Sequence, residues 1–223
     1  MDNRKNWTKN QDLLRKTLAS RSRFDEAVQV FLDQHSAVHS AAISGEKGWS
    51  LHDEVITGLD EEIIRKVPKV GENSIAWLLW HITRIEDMTI NTLTMSQDQV
   101  LNAEWAKKLE YSSPDCGAGM DDVDVANLSK NINIKALLEY RAAVGQRTRE
   151  SVLRLNSEKV REIVPETIVQ KLVGDGSIND RADWLHQFYL GRSRGFFLTR
   201  TATSHNFIHL NEAGRTAKKL KKV

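Results

Sequence analysis

Two histidines near the end of the chain are spaced as ligands of one metal ion. In the segment HNFIH, His205 and His209 are four residues apart, so a helix would place both imidazoles on one face, one turn apart. Two imidazoles in this arrangement can take neighbouring positions around a divalent ion. Glu212 follows three residues later on the same face. It is a candidate further ligand, an acceptor that orients an imidazole, or a group that moves a proton.

A second histidine pair has the same spacing. His35 and His39 occur in HSAVH, and by spacing alone the two pairs are equally good candidates. The carboxylate one turn beyond His209 favours the HNFIH pair, although the first pair could line the same cavity. His81 lies on an otherwise apolar helical stripe and should point into the protein. A single buried histidine is more often a core residue than a metal ligand, so His81 alone carries little weight.

The elements that must position these residues are helical. Ser74 is a candidate helix cap, and the run IAWLLWHITRIEDMTINTL follows it. Apolar periodicity and glycine or proline breaks predict further helices at Arg23–Ser44 (ended by GEKG), Leu51–Lys66, Asn133–Asn156, Asp183–Leu190 and Gly195–Lys219. The sequence therefore predicts an all-α fold with four main helices and short accessory ones.

The stretch from about Met95 to Ile132 is predicted to be a long, irregular connection, and its acidic patch at Asp121, Asp122 and Asp124 is interpreted as a solvated loop. A connection this long between the second and third main helices allows them to run in the same direction. We therefore expect a four-helix bundle that is not simply up-down-up-down. The whole chain, 1–223, is predicted to be one domain with an N-terminal extension at 1–20 and a basic tail at 214–223.

Composition excludes several classes of protein. The net charge is +2, from 32 basic and 30 acidic side chains, which gives no overall basic field for nucleic acid. Cys116 is the single cysteine, so no disulfide within the chain can form. The polar start does not resemble a signal peptide, and the longest apolar stretch, Ile75 to Ile82, is far shorter than the ~20 residues of a membrane span. We expect a cytoplasmic protein that binds no membrane.

Four segments of the sequence together resemble the DinB/YfiT-like superfamily, in particular its DinB-like subgroup: FLDQHSAVHSA, VGENSIAWLLWHITRIEDM, GAGMDDVDVANLS and TSHNFIHLNEAGR. The resemblance implies a bundle running up-down-down-up. It also implies a metal site formed by His81, His205 and His209, with zinc or nickel as the metal. Several relatives are thiol-dependent transferases or isomerases. Here Leu210-Asn211-Glu212 stands where an Arg-Gly-Gln-like stretch is usual.

Three neutral histidines leave at least one coordination position open, as in catalytic zinc sites. An open ion can polarise a carbonyl or activate water. These features predict a metal-dependent transferase or hydrolase acting on a small molecule, and the resemblance adds a low-molecular-weight thiol as cosubstrate. The alternative is a non-catalytic bundle, stapled by its metal, that serves as a stress-response or binding protein. A homodimer is left open.

Overall fold

The computed structural model describes residues 2–45 and 48–221, and this part of the chain is helical with no β-strand. The all-α prediction is thus confirmed. The helices are α1 (Asn3–Leu18), α2 (Phe24–Ser36), α3 (Leu51–Ile56), α4 (Glu61–Arg65), α5 (Ile75–Asp87), α6 (Ala103–Leu109), α7 (Asp122–Asn131), α8 (Ile134–Leu153), α9 (Glu166–Gly174), α10 (Asp183–Tyr189), α11 (Arg194–Thr199) and α12 (Asn206–Leu220).

Helix α5 is the centre of the molecule. It packs against α8 and α12, and α2 packs against α8. Ser74 caps it as predicted, since its hydroxyl accepts from the backbone N–H of Trp77 at 3.0 Å. Every residue of α5 is buried, because partners cover it on all sides. The up-down-down-up order of the main helices stays a prediction.

Two segments have π-helical geometry. The first π segment, Met88–Thr94, continues α5 without a break, and the second π segment, Arg200–His205, joins α11 to α12. The predicted helix Gly195–Lys219 is therefore a composite of three stretches that begins at Arg194. The hydroxyls of Thr89 and Thr201 lie 2.7 Å apart and link the two π segments. Such segments occur frequently at functional sites.

The first predicted main helix ends earlier than expected. Helix α2 ends at Ser36 rather than Ser44, and only Ala41–Ile43 forms a short 3₁₀ turn beyond it. The reason is tertiary: Leu51 N–H bonds to Ala37 O at 2.8 Å, and Arg141 bonds to Val38 O at 2.7 Å. These bonds take up carbonyls that a continuing helix would have used. Residues 46 and 47 of the predicted GEKG stop lie outside the described residues.

The connection from Met95 to Ile132 is more ordered than predicted. It contains α6, capped by Asn102, and α7, which begins with a capping box. Asp121 accepts from the backbone N–H groups of Val123 and Asp124 at 3.0 Å. The acidic patch is therefore a helix start rather than the predicted solvated loop.

Both ends of the described chain are also helical. The predicted extension at 1–20 contains α1, which packs on α2, and Trp7 and Gln34 exchange side-chain to backbone hydrogen bonds at 3.1 and 2.9 Å. Residues 214–220 of the predicted tail belong to α12, while residues 222 and 223 lie outside the described residues. The segment Leu51–Lys66 forms two short helices, α3 and α4, instead of one.

Candidate metal centre

Three histidines from two parts of the chain meet at one place. His81 lies on α5, His205 ends the second π segment, and His209 follows one turn later on α12. One ring nitrogen of each lies within 4.8 Å of the others, a grouping that could hold a metal ion. The ring centroids are 4.9 Å apart for His81 and His205, and 4.5 Å apart for His205 and His209. The fold thus brings together the three residues that the sequence singled out.

Two of these imidazoles have a partner for their second nitrogen. His81 Nδ1 lies 2.7 Å from the backbone oxygen of Cys116, and His209 Nδ1 lies 2.8 Å from Glu212 Oε2. Because both partners are acceptors, each Nδ1 carries the proton and donates it. Each Nε2 is then left with a free lone pair. This arrangement is typical of metal-ligating histidines, whose other nitrogen usually donates to a carbonyl or a carboxylate.

The environment of the centre favours neutral imidazoles. Burial lowers the pKa of His81 to about 4, although the bond to Cys116 opposes this shift, and burial also holds the pKa of His205 well below its usual range. The hydrogen bond from His209 lowers the pKa of the Glu212 carboxyl. His205 Nδ1 is buried and has no hydrogen-bond partner among the described residues. Near neutral pH, His81 and His205 therefore offer lone pairs rather than charge.

A cavity of about 320 Å³ opens onto the three histidines. Its other walls are mostly apolar and come from α5, α10 and the second π segment. Trp77 stacks on His81 with ring centroids 4.7 Å apart. The volume lies at the lower end of the range for small-molecule pockets, roughly 300–1,000 Å³.

The other histidine pair forms a separate, fully buried cluster. His35 Nε2 and His39 Nε2 each lie 2.9 Å from one oxygen of Glu86 on α5. Asn206 Nδ2 donates to the same carboxylate at 2.9 Å. The expectation that this pair could line the same cavity is wrong, because His35 on α2 and His39 just beyond it are both buried and bonded to Glu86. None of these residues lines the cavity at His81.

The two clusters differ in how their histidines are held. In the Glu86 cluster, Nδ1 of His35 and Nδ1 of His39 are buried with no hydrogen-bond partner among the described residues. Both imidazoles donate Nε2–H to the carboxylate. Neither Nδ1 has the carbonyl or carboxylate acceptor that the second nitrogen of a metal-ligating histidine usually has. Three donors surround Glu86, and its pKa lies well below the usual range because the imidazoles offset its desolvation. This geometry describes a buried charge network better than an ion site.

Asn206 connects the two clusters. It lies next to His205, donates to Glu86, and accepts from Arg141 at 2.9 Å. Arg141 is fully buried, and desolvation lowers its pKa to about 10. The start of α12, and with it His205, is thus tied to α5 and α8 through polar contacts. Spacing could not reveal Glu86, Asn206 or Arg141, because each acts through a partner on a distant helix.

The single cysteine and the other two histidines do not contribute side chains to the centre. Cys116 is buried, and its pKa is raised by burial to about 12, so its thiol stays protonated and only its carbonyl takes part. His52 and His186 are buried elsewhere. The described helices include none long and apolar enough to cross a membrane.

Comparison with known families shows which superfamily the chain belongs to. The sequence profile of the DinB superfamily matches residues 45–191, about two thirds of the chain, so the protein belongs to this superfamily. The matched range contains His81 and ends before His205. Comparison with curated proteins finds none that matches.

Proposed function

We propose that His81, His205 and His209 bind one divalent ion, zinc or nickel, and that the protein is a metal-dependent enzyme acting on a small molecule. The observation that carries this proposal is the convergence of three imidazoles on the wall of an apolar cavity. Metal–nitrogen bonds are about 2.0–2.1 Å, so modest side-chain rotation would bring all three nitrogens to one ion. Family membership supports the proposal.

The donor set favours an open site. The grouping contains three nitrogen donors, whereas a structural zinc site usually has four protein ligands. Glu212 is hydrogen-bonded to His209, so it serves best as the residue that orients this ring. When bound, the ion would supply a Lewis acid with a free position facing the cavity. We propose a transferase or hydrolase reaction, with a low-molecular-weight thiol as a candidate cosubstrate.

Metal content tests the site. Untagged protein should carry one ion per chain by elemental analysis, and His81→Ala and His209→Ala should each lose most of it. His52→Ala, at a buried histidine outside both clusters, is the control and should keep its metal. Stoichiometric metal in both ligand variants would contradict the assignment.

Turnover tests the chemistry. Metal-loaded and chelated protein are compared with thiol cosubstrates and a panel of electrophiles and esters. Turnover that depends on the metal supports the enzyme. Stoichiometric metal that stabilises the fold, without turnover across the panel, would instead support the non-catalytic, metal-stapled bundle.

A further inference from the structure

The cavity beside the three histidines has an uneven distribution of charge. Apolar side chains form most of its wall, among them Ile85, Leu185 and Phe188, and Trp184 is 61% exposed. Among the residues that line it, none is aspartate or glutamate, and Arg200 is the only one besides the histidines that carries a cationic group. Such a cavity favours a ligand with an apolar body and one negative charge.

Arg200 is available to a ligand. It is exposed, and it forms no hydrogen bond or ion pair with any described residue. Arg194, six residues earlier, differs in this respect. Its guanidinium already donates to the backbone oxygens of Leu93 and Thr94 at 2.7 Å. A free guanidinium at an apolar cavity is suited to a carboxylate, since its planar N–H groups match the two oxygens.

The second π segment places Arg200 and His205 on the same wall. In an α-helix with 3.6 residues per turn, side chains five positions apart point about 140° away from each other. The i→i+5 pattern of a π segment reduces this angle, and both residues indeed line the cavity. Arg200 and His205 are then roughly one turn apart along this segment. A molecule bound at Arg200 can therefore reach the histidines.

We infer that this cavity binds a small organic carboxylate with an apolar body, held through its carboxylate by Arg200 and directed at the three histidines. The description of this ligand as the substrate rests on the proposed function, whereas its binding does not. The aromatic side chains would contact the body, and Arg200 would select acids over neutral analogues of the same shape.

Matched probes test the inference by titration calorimetry. Chelated protein at pH 8, where exposed imidazoles are neutral, is titrated with 4-phenylbutyrate and with 4-phenylbutanol. We expect the acid to bind at least about tenfold more tightly, the effect of a charge-assisted pair. In Arg200→Gln this preference should disappear while the alcohol binds as before. Arg200→Lys, which keeps the charge without the planar fork, should retain part of it.

Arg154→Gln is the control, because Arg154 is exposed at the end of α8, outside the cavity lining. It should leave the preference unchanged. Equal binding of acid and alcohol by the wild type, no binding of either, or a preference that survives Arg200→Gln would each overturn the inference. Because these titrations use chelated protein, failure here leaves the metal assignment intact. Loss of the metal assignment likewise leaves the carboxylate preference measurable.

Discussion

Replacing Glu86 with glutamine removes one buried negative charge while keeping the shape of the side chain. The carboxylate accepts hydrogen bonds from His35, His39 and Asn206 at 2.9 Å. A glutamine could keep all three contacts, because His35 can move its proton to the unpartnered Nδ1 and accept from the new amide. The variant therefore tests the charge of Glu86 rather than its contacts.

The magnitude follows from the loss of that charge. Three charge-assisted bonds become neutral ones, at a cost of about 1 kcal/mol each, and the buried Arg141 loses the negative charge that raises its pKa. The three bonds alone amount to about 3 kcal/mol. Leaving a buried cation less compensated adds to this, so we expect Glu86→Gln to cost about 3–5 kcal/mol. For a chain of this size the melting temperature should fall by roughly 6–20 °C.

Thermal and urea unfolding, monitored by circular dichroism, measure the loss of stability. Glu150→Gln is the matched control, because Glu150 is exposed on α8 and should change stability by less than about 0.5 kcal/mol. If Glu86→Gln costs less than about 1 kcal/mol, the carboxylate is protonated in the folded protein or Arg141 does not depend on it. Either outcome would refute the charge network.

Three further predictions concern the same two clusters. Burial lowers the pKa of His39 to about 3. As the pH falls below 6.5, this imidazole therefore binds a proton in the unfolded chain but not in the folded protein. His39 alone should lower stability by about 2 kcal/mol between pH 7 and pH 5. The lowered pKa values of His81 and His205 act in the same direction, so urea unfolding should show a drop larger than this, and a flat profile would contradict the prediction. Gly145→Ala would place a Cβ 2.6 Å from His39 Nδ1 and should cost about 1–3 kcal/mol by the same measurement. Gly174→Ala, with open space around it, should cost far less, and equal costs would contradict the packing. Glu212→Gln should weaken zinc binding by about 10–100-fold in chelator competition, since it no longer orients His209 as a charged acceptor; unchanged affinity would contradict its role.

The sequence predicted the features that depend on local chemistry. Ser74 was identifiable as a cap because a serine before an apolar run can accept from the first backbone N–H groups, and the structure shows this bond. His81 was predicted to point inward from its apolar stripe, and it is 7% exposed. Helical spacing alone also placed His205 and His209 on one face, and both line the same cavity.

Features that depend on distant contacts were not predictable. The early end of α2 follows from hydrogen bonds made by Leu51 and Arg141, and neither is visible in the pattern of the helix itself. Spacing also left the two histidine pairs equivalent. The distinction arises because Glu86 on α5 meets His35 and His39, whereas Cys116 and Glu212 accept from the other set. The π geometry that aligns Arg200 with His205 has no recognisable sequence signal.

A metal-soaked crystal tests the central proposal most directly. Anomalous difference maps, collected above and below the zinc absorption edge, locate the ion without assuming its ligands. We expect one peak about 2.0–2.1 Å from a ring nitrogen of each of His81, His205 and His209, with at least one position open toward the cavity. A peak at Glu86 between His35 and His39, or full occupancy of a site that lacks His81, would contradict the proposal.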